Sequence, residues 1–166
     1  MPAPPSSRRL PNLDNHLCFG CSPANPKGLG MEFYLVDDAI ASWIVVAEHY
    51  CGWHQVVHGG IIATILDEIM GRGALYLLKR LVMTKSIALD FIRPVATGKE
   101  IRAEGRVREM TDGRNAVMEG VIYNHQGEPA ARATGQFKLF SVETLRQRGG
   151  MEESNLRAIE NLIRDF

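Results

Sequence analysis

The run Val56–Gly71, VVHGGIIATILDEIMG, collects residue types that carbonyl chemistry needs. A His-Gly-Gly turn (His58, Gly59, Gly60) opens a long apolar stretch, and a carboxylate pair, Asp67-Glu68, sits in the middle of it. A helix starting at that turn exposes backbone N–H groups that lack intrahelical partners and stand at the positive end of the helix dipole. Glycine lets a ligand approach such a backbone closely. A carbonyl that becomes a tetrahedral oxyanion needs donors of this kind, and losing one costs about 2.7–4 kcal/mol of transition-state stabilisation. Gly59 and Gly60 are the candidate donors. Asp67 follows Gly60 by seven residues, and seven steps of about 100° return to nearly the same helix face. Thr64, Gly71 and Ala74 line that face with small side chains. A carboxylate there can attack a carbonyl carbon or activate a water. Taken alone, a mid-helix Asp-Glu pair is more often a solvated face. The apolar flanks favour burial instead, and a buried carboxylate must be paired or functional.

A second cluster is Cys18-Phe19-Gly20-Cys21, half of a zinc-site pattern, with His16, His49, Cys51 and His54 as completing ligands to weigh. A single C-x₂-C without a second clear pair is a weak metal signal, so the expectation is a buried turn and no metal. A thioredoxin-like redox role lacks the βαβ context. Arg102, Arg106 and Arg108 share one strand face and suit phosphates, but Glu104 and Glu109 interleave with them, and a solvated face is expected.

These residues need elements to position them. Residues 31–36 and 40–46 read as strands, with Asp37-Asp38 as the hairpin turn between them. From Gly59 to about Lys79, Ile62, Ile65, Leu66, Ile69 and Leu77 recur at helical spacing, which predicts one central helix. Strands are predicted over 83–93, 99–110, 115–123 and 129–140, separated by Pro94–Gly98, Thr111–Arg114 and Asn124–Gly127. Each separator holds the residues that tight turns need, and all three are read as antiparallel meander connections. Within 99–110, Ile101, Ala103, Gly105 and Val107 alternate with Arg102, Glu104, Arg106 and Arg108, so one side is covered. Ala131, Ala133, Gly135, Phe137 and Leu139 repeat this, and their small members leave room for a closely packed helix.

Leu156, Ile159, Leu162, Ile163 and Phe166 make 152–166 an amphipathic helix hinged at Gly149-Gly150. The order predicts an α+β domain whose antiparallel sheet wraps one long helix, with a C-terminal helix added. We divide the chain into a flexible arm over 1–14, a domain over 15–141, and a linker with the amphipathic helix over 142–166.

Composition bounds the partners. A chain of 166 residues suits one domain. Lys+Arg 19 against Asp+Glu 19 leaves a formal net charge of +0, so no global field draws nucleic acid or an anionic membrane. The opening has no apolar run long enough for a signal peptide or membrane span, and three cysteines are too few for a disulfide scaffold. The expectation is a cytoplasmic protein.

The motif resembles the phenylacetate-pathway (PaaI-type) thioesterases of the hotdog superfamily, whose pattern is His-Gly-Gly with an Asp seven residues after the second Gly. His58-Gly59-Gly60 and Asp67 fit it, and FIRPV (91–95) ends the first strand after the helix in the same way. The resemblance covers roughly 15–141. It implies a hotdog fold, acyl-coenzyme A thioester hydrolysis without cofactor, and a homo-oligomer, either a dimer or a dimer of dimers, with active sites shared between antiparallel helices. It further implies Asp67 as nucleophile or general base, Gly59 N–H as oxyanion donor, and His58 shaping the turn near the carbonyl. Thr84 falls where the family often places a Ser or Thr that orients water. Gln55 is the only amide close before the His, and Glu68 is a secondary carboxylate. Two rivals stay open: a hotdog dehydratase or hydratase, which needs a second acid-base group not visible beside Asp67, and a non-catalytic acyl-CoA binding or regulatory domain.

Overall fold

The structure is a computed structural model describing residues 7–13, 16–149 and 151–164. Its centre is α1 (Gly59–Leu78), capped by His58 and closed at Lys79, which adopts a left-handed conformation with φ 54°. Before it come β1 (Arg8–Arg9), β2 (Tyr34–Val36), β3 (Ala39–Val45), a 3-10 turn (Glu48–Tyr50), β4 (Cys51–Trp53) and β5 (Val56–Val57). After it come β6 (Leu81–Phe91), β7 (Glu100–Met110), β8 (Asn115–Tyr123), β9 (Pro129–Phe140), α2 (Val142–Arg148) and α3 (Glu153–Arg164). Seven strands form one antiparallel sheet in the order β1-β2-β3-β7-β8-β9-β6, and β4-β5 make a separate hairpin.

The sheet curves around α1, burying Ile62, Ile65, Leu66, Ile69, Met70 and Ala74. Close approach depends on glycines. A Cβ on Gly105 would stand 2.5 Å from the Ile69 carbonyl oxygen, and one on Gly120 would stand 3.0 Å from Leu66. Backbone cannot give way as a side chain can, so at Gly105 only glycine fits. This arrangement is the hotdog fold.

The expected meander holds for β7-β8-β9 but not for the first connection. β6 pairs with β9 at one edge, while β7 pairs with β3. The 92–99 link is therefore a crossover. It is tied on its way by Val57 N–H to the Val95 carbonyl (2.9 Å) and by its own Gly98 N–H to the Val46 carbonyl (2.8 Å). Turn residues announce a change of direction but not which strand comes next.

β2 begins at Tyr34 rather than 31, because Met31 N–H bonds to the Gly20 carbonyl at 3.0 Å instead of entering the ladder. Of the arm read over 1–14, Arg8–Arg9 pair with β2 and Leu10 is buried, so these residues are not a loose tail. Residues 1–6 and Asp14 lie outside the described residues, as do Gly150 of the hinge and Phe166 of the tail. α3 buries Leu156, Ile159 and Leu162 as its spacing predicts. α2 is an addition to the reading; the Ser141 hydroxyl caps it by accepting from Thr144 N–H.

Candidate active site

Two of the expected residue groups lie on α1. At its start His58 Nδ1 accepts the Gly60 N–H at 2.9 Å, which puts the ring proton on Nε2. Gly60 is thereby taken. Among the described residues the Gly59 N–H makes no hydrogen bond, and it opens on a groove of about 340 Å³ lined by Ile62, Phe91, Pro94 and Ala131. Of the two glycine amides expected as donors, the structure leaves Gly59 available and spends Gly60 on the cap. Phe91 covers Gly59: a Cβ there would meet its ring at 3.3 Å.

Eight residues on, about 12 Å along the axis at 1.5 Å per residue, Asp67 stands in a second groove of about 280 Å³ with Gly71, Leu75, Val82 and Ile159. The Thr84 hydroxyl donates to Asp67 Oδ1 at 2.7 Å. Burial pushes the Asp67 carboxyl above its ordinary range, the Thr84 hydrogen bond opposes this, and the Glu68 charge adds to it.

Thr84 reaches Asp67 because β6 is irregular: Thr84 pairs with Phe137 and Ser86 with Gln136, so Lys85 is an extra residue. The bulge reverses the strand's alternation. Val82 and Thr84 face α1 before it, Ile87 and Leu89 after it; a regular strand would turn Met83 and Lys85 inward instead.

The other expected residues part company. Glu68 turns away from Asp67 to Arg72, Oε1 to Nε at 3.1 Å, and its Oε2 lies 3.6 Å from Cys18 Sγ. Gln55 sits exposed in the β4-β5 turn with φ 61°, its carbonyl accepting from Thr97 N–H, and it makes no contact with Asp67. Two residues escaped the sequence reading: Phe91 over Gly59, and Arg72, for which the i,i+4 spacing from Glu68 was the available signal.

β6 is also a sheet edge of 11 residues, with Met83 and Phe91 exposed by 61% and 62% and Ile92, just beyond it, by 44%. A long edge carrying apolar side chains invites a partner strand. Among the described residues no helix is long and apolar enough to cross a membrane.

The class defined by this fold and motif is matched by known proteins. Residues 54–131 match the model of the thioesterase superfamily. Acyl-coenzyme A thioesterase THEM4 of Xenopus laevis is 35% identical over 68 residues, 41% of this chain and 30% of that protein. The match thus spans less than a third of that relative's length. Among solved structures, the Escherichia coli PaaI protein from the phenylacetic acid degradation operon superposes with TM-score 0.61 at 22% identity, covering 66% of this chain and 83% of that one. A Streptococcus mutans protein bound to acetyl-CoA gives TM-score 0.61 at 16% identity, covering 67% and 89%. The resemblance read from His58-Gly59-Gly60 and Asp67 thus meets a match to the thioesterase superfamily over 54–131 and a hotdog fold shared with the solved structures.

Proposed function

We propose that the protein hydrolyses an acyl-coenzyme A thioester to free acid and coenzyme A. The observation that carries this is Asp67, held at 2.7 Å by Thr84 in a largely apolar groove on the helix that also presents an unpaired Gly59 N–H. The superfamily match and the acyl-coenzyme A thioesterase relative support the same reading.

In this account the thioester carbonyl oxygen accepts from Gly59 N–H, where the helix dipole favours developing negative charge. Asp67 either deprotonates a water that attacks the carbonyl carbon or attacks it directly, in which case loss of the thiolate leaves a mixed anhydride on Asp67 that water then hydrolyses to the free acid; Thr84 fixes the carboxylate for either step. Collapse of the tetrahedral intermediate breaks the C–S bond and releases coenzyme A as thiolate, which takes up a proton. His58 holds the turn, its Nδ1 committed to Gly60.

About 12 Å separates Gly59 from the Asp67 of its own helix, too far for one carbonyl to meet both. We therefore assign each site to two chains in an isologous dimer, with the helix start of one facing Asp67 of the other. The exposed β6 edge supports such pairing.

A dehydratase reading needs a second acid-base group, and the nearest histidine in sequence, His58, is the helix cap. A panel of aryl-, short- and medium-chain acyl-CoA esters, assayed by free thiol release, tests the proposal. Hydrolysis of at least one is expected. No thiol release from any, by a folded protein that binds coenzyme A, would leave the non-catalytic binder as the correct reading.

A further inference from the structure

We propose that His16, Cys18, Cys21 and Glu68 form a zinc site joining the loop before β2 to α1. Sequence spacing shows only half of such a site. The fold supplies the rest, bringing His16 in from one side of the turn and Glu68 from the helix.

A ring nitrogen of His16 and the Cys18 and Cys21 sulfurs all lie within 4.8 Å of one another. Around tetrahedral zinc, with Zn–S about 2.3 Å and Zn–N or Zn–O about 2.0–2.2 Å, neighbouring donor atoms stand roughly 3.3–3.8 Å apart, and a sulfur and an oxygen about 3.6 Å. The Cys18 Sγ to Glu68 Oε2 separation, 3.6 Å, fits that edge. Only the His16, Cys18 and Cys21 donors group within 4.8 Å as they stand, so Glu68 Oε2 swings toward them to complete the set.

His16 adds an independent sign. Its Nδ1 accepts from Cys18 N–H at 3.2 Å, so the metal-free ring carries its proton on Nε2, which is buried with no hydrogen-bond partner among the described residues; ligation through Nε2 moves that proton to Nδ1 and breaks the Cys18 contact. A buried ring nitrogen left unsatisfied is costly unless something else meets its demand. Gly20 shows how tightly the turn is pressed on Glu68: a Cβ there would stand 2.7 Å from Oε2.

Arg72 completes an outer shell. Its Nη2 lies 2.6 Å from Cys21 Sγ and its Nε 3.1 Å from Glu68 Oε1. A donor on a ligating sulfur and another on the second carboxylate oxygen are what outer-shell groups provide. Charge balances as well. Zn²⁺ brings two positive charges, each thiol releases one proton, and the partly buried cluster of ion, two thiolates, Glu68 and Arg72 stays neutral. The site is structural: it anchors the helix beside Asp67 without touching the reacting atoms, and it stands whether or not the thioesterase reading does.

The test uses the full chain, reduced, stripped of metal and titrated with Co²⁺ alone. One equivalent is expected to raise a thiolate-to-cobalt charge-transfer band with tetrahedral d–d bands, and Zn²⁺ is expected to displace it. Cys18→Ser and Cys21→Ser abolish the band and Cys51→Ser keeps it; Arg72→Gln weakens binding about 10–100-fold. If the serine variants do not fold, wild-type stoichiometry decides alone. Reduced wild-type protein, with all three thiols titrating, that gives no charge-transfer band overturns the site, as does a band that persists in both serine variants. In that case the cluster is only a hydrogen-bonded pin.

Discussion

Mixing two inactive variants, Asp67→Asn and Gly59→Pro, tests the shared site. Gly59→Pro removes the one N–H assigned to the oxyanion, and the structure shows why the chain tolerates it. Gly59 is the first helical residue, where proline fits. His58, at φ −60° and ψ 138°, already has the extended backbone that precedes a proline. The space over Gly59 ends at the Phe91 ring, 3.3 Å from an added Cβ, so a few tenths of an ångström suffice. Loss of an oxyanion donor costs about 10²–10³-fold in kcat, and loss of the carboxylate about 10²–10⁴-fold. Each homodimer should thus run at about one per cent of wild type or less. In a heterodimer, Gly59 of the Asp67→Asn chain faces Asp67 of the Gly59→Pro chain and makes one intact site; the other site carries both lesions. With random exchange half the dimers are mixed, so about a quarter of wild-type activity returns. The assay is free thiol release after co-refolding, with exchange followed by differently tagged chains. A mixture that exchanges subunits yet stays at the parental level would refute the argument.

Other expectations follow from single contacts. Thr84→Val keeps the side chain's shape and removes the 2.7 Å hydrogen bond to Asp67. Bonds to charged groups are worth about 1.5–3 kcal/mol, and Asp67 is only partly buried, so steady-state kinetics should show kcat lowered about tenfold with KM little changed. Gly105→Ala places a Cβ against the Ile69 carbonyl oxygen and should lower stability by about 1–3 kcal/mol, measured by urea unfolding; an unchanged midpoint would mean that helix and sheet do not meet as described. Chelation should lower the melting temperature but leave turnover in place, because Asp67, Thr84 and Gly59 are not ligands of the proposed zinc site. Turnover that vanishes and returns with Zn²⁺ would move the ion into the reaction.

The long helix was legible because its apolar residues repeat over 20 positions, far more than a strand needs. The turn glycines, the alternating faces of β7 and β9, and the apolar spacing of α3 were legible for the same reason: local periodicity reports which side is buried. Strand order is not local. Nothing in Pro94–Gly98 says that the chain crosses to β3 instead of returning beside β6. Family resemblance marked Thr84 as a residue that orients water, but its bond to Asp67 was not legible, since the bulge at Lys85 that aims it depends on pairing with β9. His58 illustrates the opposite case. Its place before two glycines marked a helix start, but only the geometry shows its Nδ1 occupying Gly60 and leaving Gly59 free. Glu68 beside Asp67 looked like a second acid; the 100° step between neighbours sends it to Arg72 instead.

The most direct measurement is the steady-state kinetics of Asp67→Asn on the acyl-CoA that wild-type protein cleaves fastest, with Asp90→Asn as the exposed-carboxylate control. A group that acts on the transition state shows itself in kcat. The account predicts kcat lowered by about 10²–10⁴-fold with KM little changed, in a protein whose circular dichroism and oligomeric state match wild type, while Asp90→Asn turns over normally. Wild-type kcat from a folded Asp67→Asn protein would contradict the assignment of this carboxylate.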